Sequence, residues 1–96
     1  MIVYDQPTVW NPKYGLSCHL ISTLSGEEGR IELLNFIKQL NINSKHIQNL
    51  GQETEHFDIF GSKLDLLRKI IPLPITRKEF LEIIRNKRIL LNEDKK

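Results

Sequence analysis

Three hydroxyl residues, each followed three positions later by a carboxylate, punctuate this chain: Ser25 with Glu28, Ser62 with Asp65, and Thr76 with Glu79. A hydroxyl and an acid at that spacing satisfy each other's free amides in the first turn of a helix, so each pair marks a helix start. What precedes each start is apolar and extended in character. Leu16 to Ser22 is a mostly apolar run bounded by turn formers, the pattern of a strand buried on both faces. His56-Phe57-Asp58-Ile59-Phe60 alternates polar and apolar, the pattern of a strand with one wetter face. Ile70 to Ile75 contains Pro72 and Pro74 and reads as a short edge strand, since proline lacks the amide that a sheet interior needs.

With Ile2-Val3-Tyr4 as a first β-favouring run, the order becomes β-loop-β-α-β-α-β-α. Such alternation predicts an α/β fold with a small three- to four-stranded, mostly parallel sheet and three helices. The first helix spans about 27 to 40, with Ile31, Leu34, Ile37, Leu33, Phe36 and Leu40 as its apolar stripe. The second opens at Ser62 and is stopped by Pro72. The third opens at Thr76, with Phe80, Leu81 and Ile84 on one face. Residues 6 to 15 hold two prolines and a glycine and read as a long loop bearing Trp10 and Tyr14. Residues 41 to 55 are rich in Asn, Gln, Ser and Gly and read as a connection with a short helical turn. Residues 1–91 are expected to form a single α/β domain, and 92–96 a disordered polar tail.

At 96 residues the chain is one domain that buries roughly two-thirds of its unfolded surface. A ligand site is therefore expected to be shallow, or completed by another copy in a homo-oligomer. No apolar run approaches the ~20 residues of a membrane span, and the N-terminus lacks a basic flank and long apolar stretch. The expectation is a soluble, cytoplasmic protein without a membrane partner. A single Cys18 excludes an internal disulfide framework and a four-cysteine zinc site. A net charge of +2 decides little, but Lys63 to Arg88 carries eight cations against three carboxylates. Such a run is a solvated face or an anion-facing surface.

The Walker, dinucleotide, zincin, C-x-x-C and G-x-S-x-G motifs are absent, and no cofactor is indicated. Arg77 and Lys78 occupy a first helical turn, where the dipole disfavours cations by about 0.3 to 1 kcal/mol each. A bound anion resolves that conflict. Gly61-Ser62-Lys63 makes a second such start, and in a parallel sheet both lie on the strand edge where ligands bind. Ser62, Lys63, Thr76, Arg77 and Lys78 are therefore candidate phosphate contacts, with two ordinary capped helices as the plain alternative.

His19 lies within an apolar strand, where an imidazole needs a hydrogen-bond partner or a function, and Asp5 leaves the first strand toward an edge. His56 and Asp58 are two apart on a strand and share a face; an aspartate beside a histidine fixes its tautomer for proton transfer. His19, His56, Asp58 and Asp5 form the candidate catalytic set, against the alternative of a satisfied core histidine and a wet strand face. Trp10 and Tyr14 are candidates to stack on a base, unless they pack down on the core. Cys18 points away from His19, which rejects a thiolate dyad. No helical or hairpin spacing groups the histidines and aspartates, so no metal site is assigned.

Tyr4-Asp5-x-Pro7-x-x-Trp10, Cys18-His19-Leu20-Ile21-Ser22 and Glu55-His56-Phe57-Asp58, in this order, resemble the pattern of the domain of unknown function 4031 family of bacterial and phage proteins. The resemblance covers roughly residues 1 to 85 and singles out Asp5, Trp10, His19, His56 and Asp58. Cys18 stands where the pattern has serine, Glu55 where it has aspartate, and the aspartate after Ser22 is missing. The resemblance implies a fold and a site but no reaction. The phage distribution it implies fits a chain with no alanine and many Ile, Asn and Lys residues.

Residues and resemblance together predict a small cytoplasmic phage or bacterial protein, acting in the host cytoplasm if phage-encoded. It binds a phosphate-bearing ligand, a nucleotide or nucleic-acid end, at a His/Asp-lined sheet edge, with hydrolysis as the simplest chemistry. The alternative is a non-catalytic accessory protein that sequesters a nucleotide or docks a host protein in host takeover or anti-defence.

Overall fold

The apolar run becomes the strand β3, Gly15–Ser22, on which the sheet is built. The computed structural model describes residues 1 to 94. Ahead of β3 come β1, Ile2–Tyr4, and β2, Thr8–Asn11. After it follow α1, Gly26–Ile37, single 3-10 turns at Lys38–Leu40 and Ser44–His46, β4, Phe57–Phe60, α2, Gly61–Ile70, and α3, Arg77–Asp94. Ser17 pairs with Thr8 on one edge and Phe60 on the other, and Leu20 likewise with Tyr4 and Phe57. The strands β1 and β2 therefore share one edge of β3, and β4 takes the other.

Every one of these pairings is antiparallel, which corrects the expectation of a mostly parallel sheet. Two connections explain it. Between β2 and β3 lie only Pro12 to Tyr14, closed by the Tyr14 amide donating to the Asn11 carbonyl at 3.0 Å; a parallel crossover needs a dozen residues or more. The chain after α1 then travels the sheet a second time. Ile42 and His46 lie near Ser17, while Gly51 and Glu55 lie near Ser22, so β4 enters from the end at which β3 leaves. The connection cancels the reversal made by α1. The expected loop at 6 to 15 also contains β2, because an adjacent strand end supplies backbone partners that local sequence does not reveal.

The register sorts side chains onto two faces. Tyr4, Cys18, Leu20, Phe57 and Ile59 are buried against Leu33, Ile37 and Leu40 from the α1 side and Leu64 and Leu67 of α2. Val3 and Ile21, on the opposite face, pack with Ile84 of α3 and the half-buried Phe80 and Ile83. The sheet is thus a middle layer, with α3 covering only part of its second face. At the far end of α3's footprint, the buried Lys87 donates to the Ser22 carbonyl at 3.1 Å.

The helix starts differ from one another. Thr76 forms the full capping box: its hydroxyl accepts from the Glu79 amide at 3.1 Å, and Glu79 accepts from the Thr76 amide and hydroxyl at 3.1 and 2.9 Å. Ser25 precedes α1 without a side-chain cap bond. Ser62 lies inside α2, because Gly61 at φ +59° turns the chain from β4 directly into the helix one residue earlier. Thr76→Ala is expected to lower unfolding free energy by about 1 kcal/mol. Chemical denaturation checks this as a reduced midpoint at unchanged slope.

Three further boundaries are corrected. Ile31 is exposed rather than part of the buried stripe. Residues 71 to 76 are irregular instead of an edge strand, tied to β1 by the Ile75 amide donating to the Tyr4 carbonyl at 2.9 Å and by the Tyr4 hydroxyl donating to the Ile71 carbonyl at 2.6 Å. The two prolines leave too few donors for a ladder. The supposed polar tail continues α3 through Asp94, with Leu91 lying beside Gly26 and Arg88 paired to Glu53 at 2.9 Å. Lys95 and Lys96 lie outside the described residues.

Candidate functional site

The register that buries Leu20 and Phe57 on one face places His19 directly opposite Asp58 on the other. One residue further along the β1 edge, Asp5 reaches His19 from the opposite side. Its Oδ1 accepts from the His19 backbone amide at 2.7 Å, and its Oδ2 lies 2.8 Å from Nδ1 of the same residue. His56 enters the row just before β4, in a bridge with Gln48 closed by backbone bonds of 2.8 and 3.1 Å. Its ring meets that of His19 edge-on, with centroids 5.1 Å apart. Three antiparallel strand segments thus bring together Asp5, His19, Asp58 and His56, which sequence separates by up to 53 positions.

The hydrogen-bond partners assign the ring protons. A backbone carbonyl only accepts, so Nδ1 of His56, 2.6 Å from the Thr54 carbonyl oxygen, carries its proton. The Asp5 carboxylate does the same for Nδ1 of His19. Both imidazoles therefore present Nε2 to Asp58, whose Oδ1 is 3.2 Å from Nε2 of His56 and 3.8 Å from Nε2 of His19. The Asp5 hydrogen bond raises the pKa of His19 against the opposing effects of burial and of the Arg77 charge. Burial pushes the Cys18 thiol up to about 12, an inert core thiol on the face turned away from His19.

Asp58 is exposed and Asp5 buried, which separates their work. Asp58 meets solvent; Asp5 has both oxygens committed to His19 and fixes its ring orientation. A cleft of about 590 Å³ opens over the cluster, within the range of small-molecule sites, lined among others by Trp10, Tyr14, Ser17, His19, His46 and Asp58. The Trp10 ring lies 5.4 Å from that of His19, and Tyr14 packs on Phe60 at 4.7 Å with Lys13 Nζ over its ring at 5.6 Å. Both aromatic residues are about half exposed, at 52% and 45%, leaving ring faces for a ligand. On the other side of His19, a smaller hollow of about 240 Å³ is lined by His56, Thr54, Asn49, Phe80 and Ile84.

Of the expected phosphate contacts, Arg77 reaches the neighbourhood, lining a groove with Asp5, Gln6, Thr8 and Trp10. Thr76 is engaged in capping α3. Ser62, Lys63 and Lys78 line neither cleft beside His19. The two helix starts belong to opposite faces of the sheet: α2 leaves β4 and packs on one face, whereas α3 packs on the other, beside β1. The parallel sheet that placed them together does not form.

Sequence reasoning left out His46, Gln48 and Phe80, which line the hollows around His19. His46 and Gln48 arrive through the second passage of the 41–55 connection, which no local pattern signals. All five residues singled out by the resemblance, Asp5, Trp10, His19, His56 and Asp58, contribute to this one cluster. No protein-family model, curated protein or solved structure matches the chain. The resemblance to the domain of unknown function 4031 family therefore rests on the sequence motifs alone. Among the described residues, no helix is long and apolar enough to cross a membrane.

Proposed function

We propose that the protein binds a phosphate-bearing ligand, a nucleotide or nucleic-acid end, in the aromatic-rimmed cleft and hydrolyses its phosphoester at the His/Asp cluster. The observation that carries this is the meeting of His19 and Asp58, which line a cleft rimmed by Trp10 and Tyr14, with His56, which lines the adjoining hollow. An exposed aromatic face stacks on any base, contributing about 1 to 3 kcal/mol per base. Arg77, in the adjoining groove, supplies the charge-assisted bonds that a phosphate needs.

In the hydrolytic step, a water oxygen forms a bond to phosphorus as the ester P–O bond breaks. The water gives up one proton and the leaving alcohol takes one, so the site is restored each turnover. Histidines with one nitrogen tied and the other free are suited to carry protons near neutral pH.

The p-nitrophenyl ester of thymidine 5′-phosphate offers a base, a phosphodiester and a coloured leaving group in one probe. The wild-type chain is expected to release p-nitrophenol from it, with turnover falling by roughly 10² to 10⁴-fold in His56→Ala. Arg77→Glu is expected to weaken binding by about 10 to 100-fold, the loss of a charge-assisted contact. A wild-type chain that neither binds the ester nor shifts its Trp10 and Tyr14 resonances in its presence would rule the proposal out.

A further inference from the structure

We infer that His19, His56 and Asp58 form a binding site for one divalent first-row transition-metal ion, with zinc as the ion that tests it. Among the described residues, one ring nitrogen of each histidine and a carboxylate oxygen of Asp58 all lie within 4.8 Å of one another. Ligands 2.0 to 2.1 Å from a tetrahedral zinc ion are about 3.3 Å apart. The observed separations from Asp58 Oδ1 are 3.2 Å to His56 and 3.8 Å to His19.

Electrostatics makes the stronger case. With both Nδ1 protons held by acceptors, the two Nε2 atoms and the carboxylate oxygen present lone pairs to a common point. Lone pairs so aimed repel one another unless a proton or a metal cation lies between them, and a metal ion neutralises all three at once. Two imidazole nitrogens disfavour magnesium and calcium, which take oxygen ligands, and favour zinc, iron, cobalt or nickel. The outer partners also match a metal centre. A ligating histidine ordinarily donates its second ring N–H to a carboxylate or a backbone carbonyl, and here Asp5 and the Thr54 carbonyl supply one of each. Three protein ligands, two lining an open cleft and His56 the adjoining hollow, leave coordination positions for water and substrate.

The chemistry of this ion rests on the phosphate-hydrolysis reading, whereas its binding does not. A bound divalent ion brings the ionisation of its water toward neutral pH. The released proton passes to solvent, the hydroxide oxygen bonds to phosphorus, the ester P–O bond breaks, and the leaving alkoxide takes a proton from solvent. His19 and His56 are then ligands instead of proton carriers.

The test is a calorimetric titration of zinc into the full chain after chelation and removal of the chelator, with cobalt loading read by its visible absorption. One ion per chain is expected, with nitrogen-ligated cobalt bands. Asp58→Ala, at an exposed side chain on the face of β4 turned from the Phe57 and Ile59 core, is expected to weaken zinc binding by about 100-fold or more, and Asp5→Asn by about 10 to 100-fold through His19. Asp65→Ala, on α2, leaves it unchanged. Absence of a one-to-one zinc isotherm, or equal affinity in Asp58→Ala and the wild type, overturns the site. Zinc binding lost in Asp58→Ala, without cleavage of the thymidine ester, upholds the metal site and overturns the phosphate reading. Cleavage undiminished by EDTA overturns the metal step and leaves the phosphate reading standing.

Discussion

Gly29→Ala is expected to destabilise the fold by about 3 kcal/mol or more, a large share of the ~5 to 15 kcal/mol that typically holds a domain together. In an exposed helix the same change adds about 1 kcal/mol of stability, because alanine loses less backbone entropy. Packing reverses the sign here. A Cβ on Gly29 would lie 2.1 Å from the carbonyl oxygen of Leu24 and 2.9 Å from its carbon, both backbone atoms with no rotamer to give. Leu24 is itself pinned, since its amide donates to the Ser22 hydroxyl at 3.0 Å and that hydroxyl donates to Glu32 at 2.7 Å. Relief requires α1 to lift from the end of β3, opening the core around Leu33 and Ile37. Urea unfolding followed by circular dichroism measures the effect; a midpoint at or above wild type would show that the 22–25 turn yields.

Asp5→Ala is expected to cost roughly 3 kcal/mol and to disorder the candidate site as well. The carboxylate accepts two bonds from His19, and bonds to a charged acceptor are worth about 1.5 to 3 kcal/mol each, less the cost of keeping the charge buried. Truncation leaves the His19 amide without its side-chain acceptor and the ring free to turn. Asp5→Asn keeps the shape but removes the charge, so its main signature is electrostatic. The Asp5 bond holds the His19 pKa above its ordinary value. Protonation of this histidine therefore favours the folded state. That contribution is complete below the unfolded value of about 6.5 and is lost as pH rises through the raised folded value. In Asp5→Asn the folded value falls and this pH dependence shrinks. Titration of the His19 ring by NMR reads the shift directly; an unchanged midpoint would show that Asp5 does not control it.

The residues that make the site were legible in the chain before their arrangement was. His19 stood out as a polar residue in an apolar run, and the period-two pattern of 56 to 60 placed His56 and Asp58 on one face, as the β4 register shows. Strand alternation also set Cys18 on the face away from His19, where the thiol is buried. The pairing of the histidines was not legible, because it depends on β4 running antiparallel to β3. Spacing along the chain therefore pointed away from a metal ligand set that the neighbouring strands assemble. Of the cations at the two helix starts, Arg77 lines a groove beside the cluster, whereas Lys63 and Lys78 line neither hollow next to His19.

Local patterns by themselves determined where most strands and helices form and which face of the 56–60 strand is apolar. These properties depend on side-chain periodicity and on turn and cap chemistry within a few residues, as the Thr76–Glu79 box illustrates. Strand direction, the burial of Asp5, the close approach at Gly29 and the meeting of His19 with His56 were decided only in the tertiary structure. Each is set by the path of the 41–55 connection and by packing between distant segments, where the free energy belongs to the pair and neither segment alone encodes it.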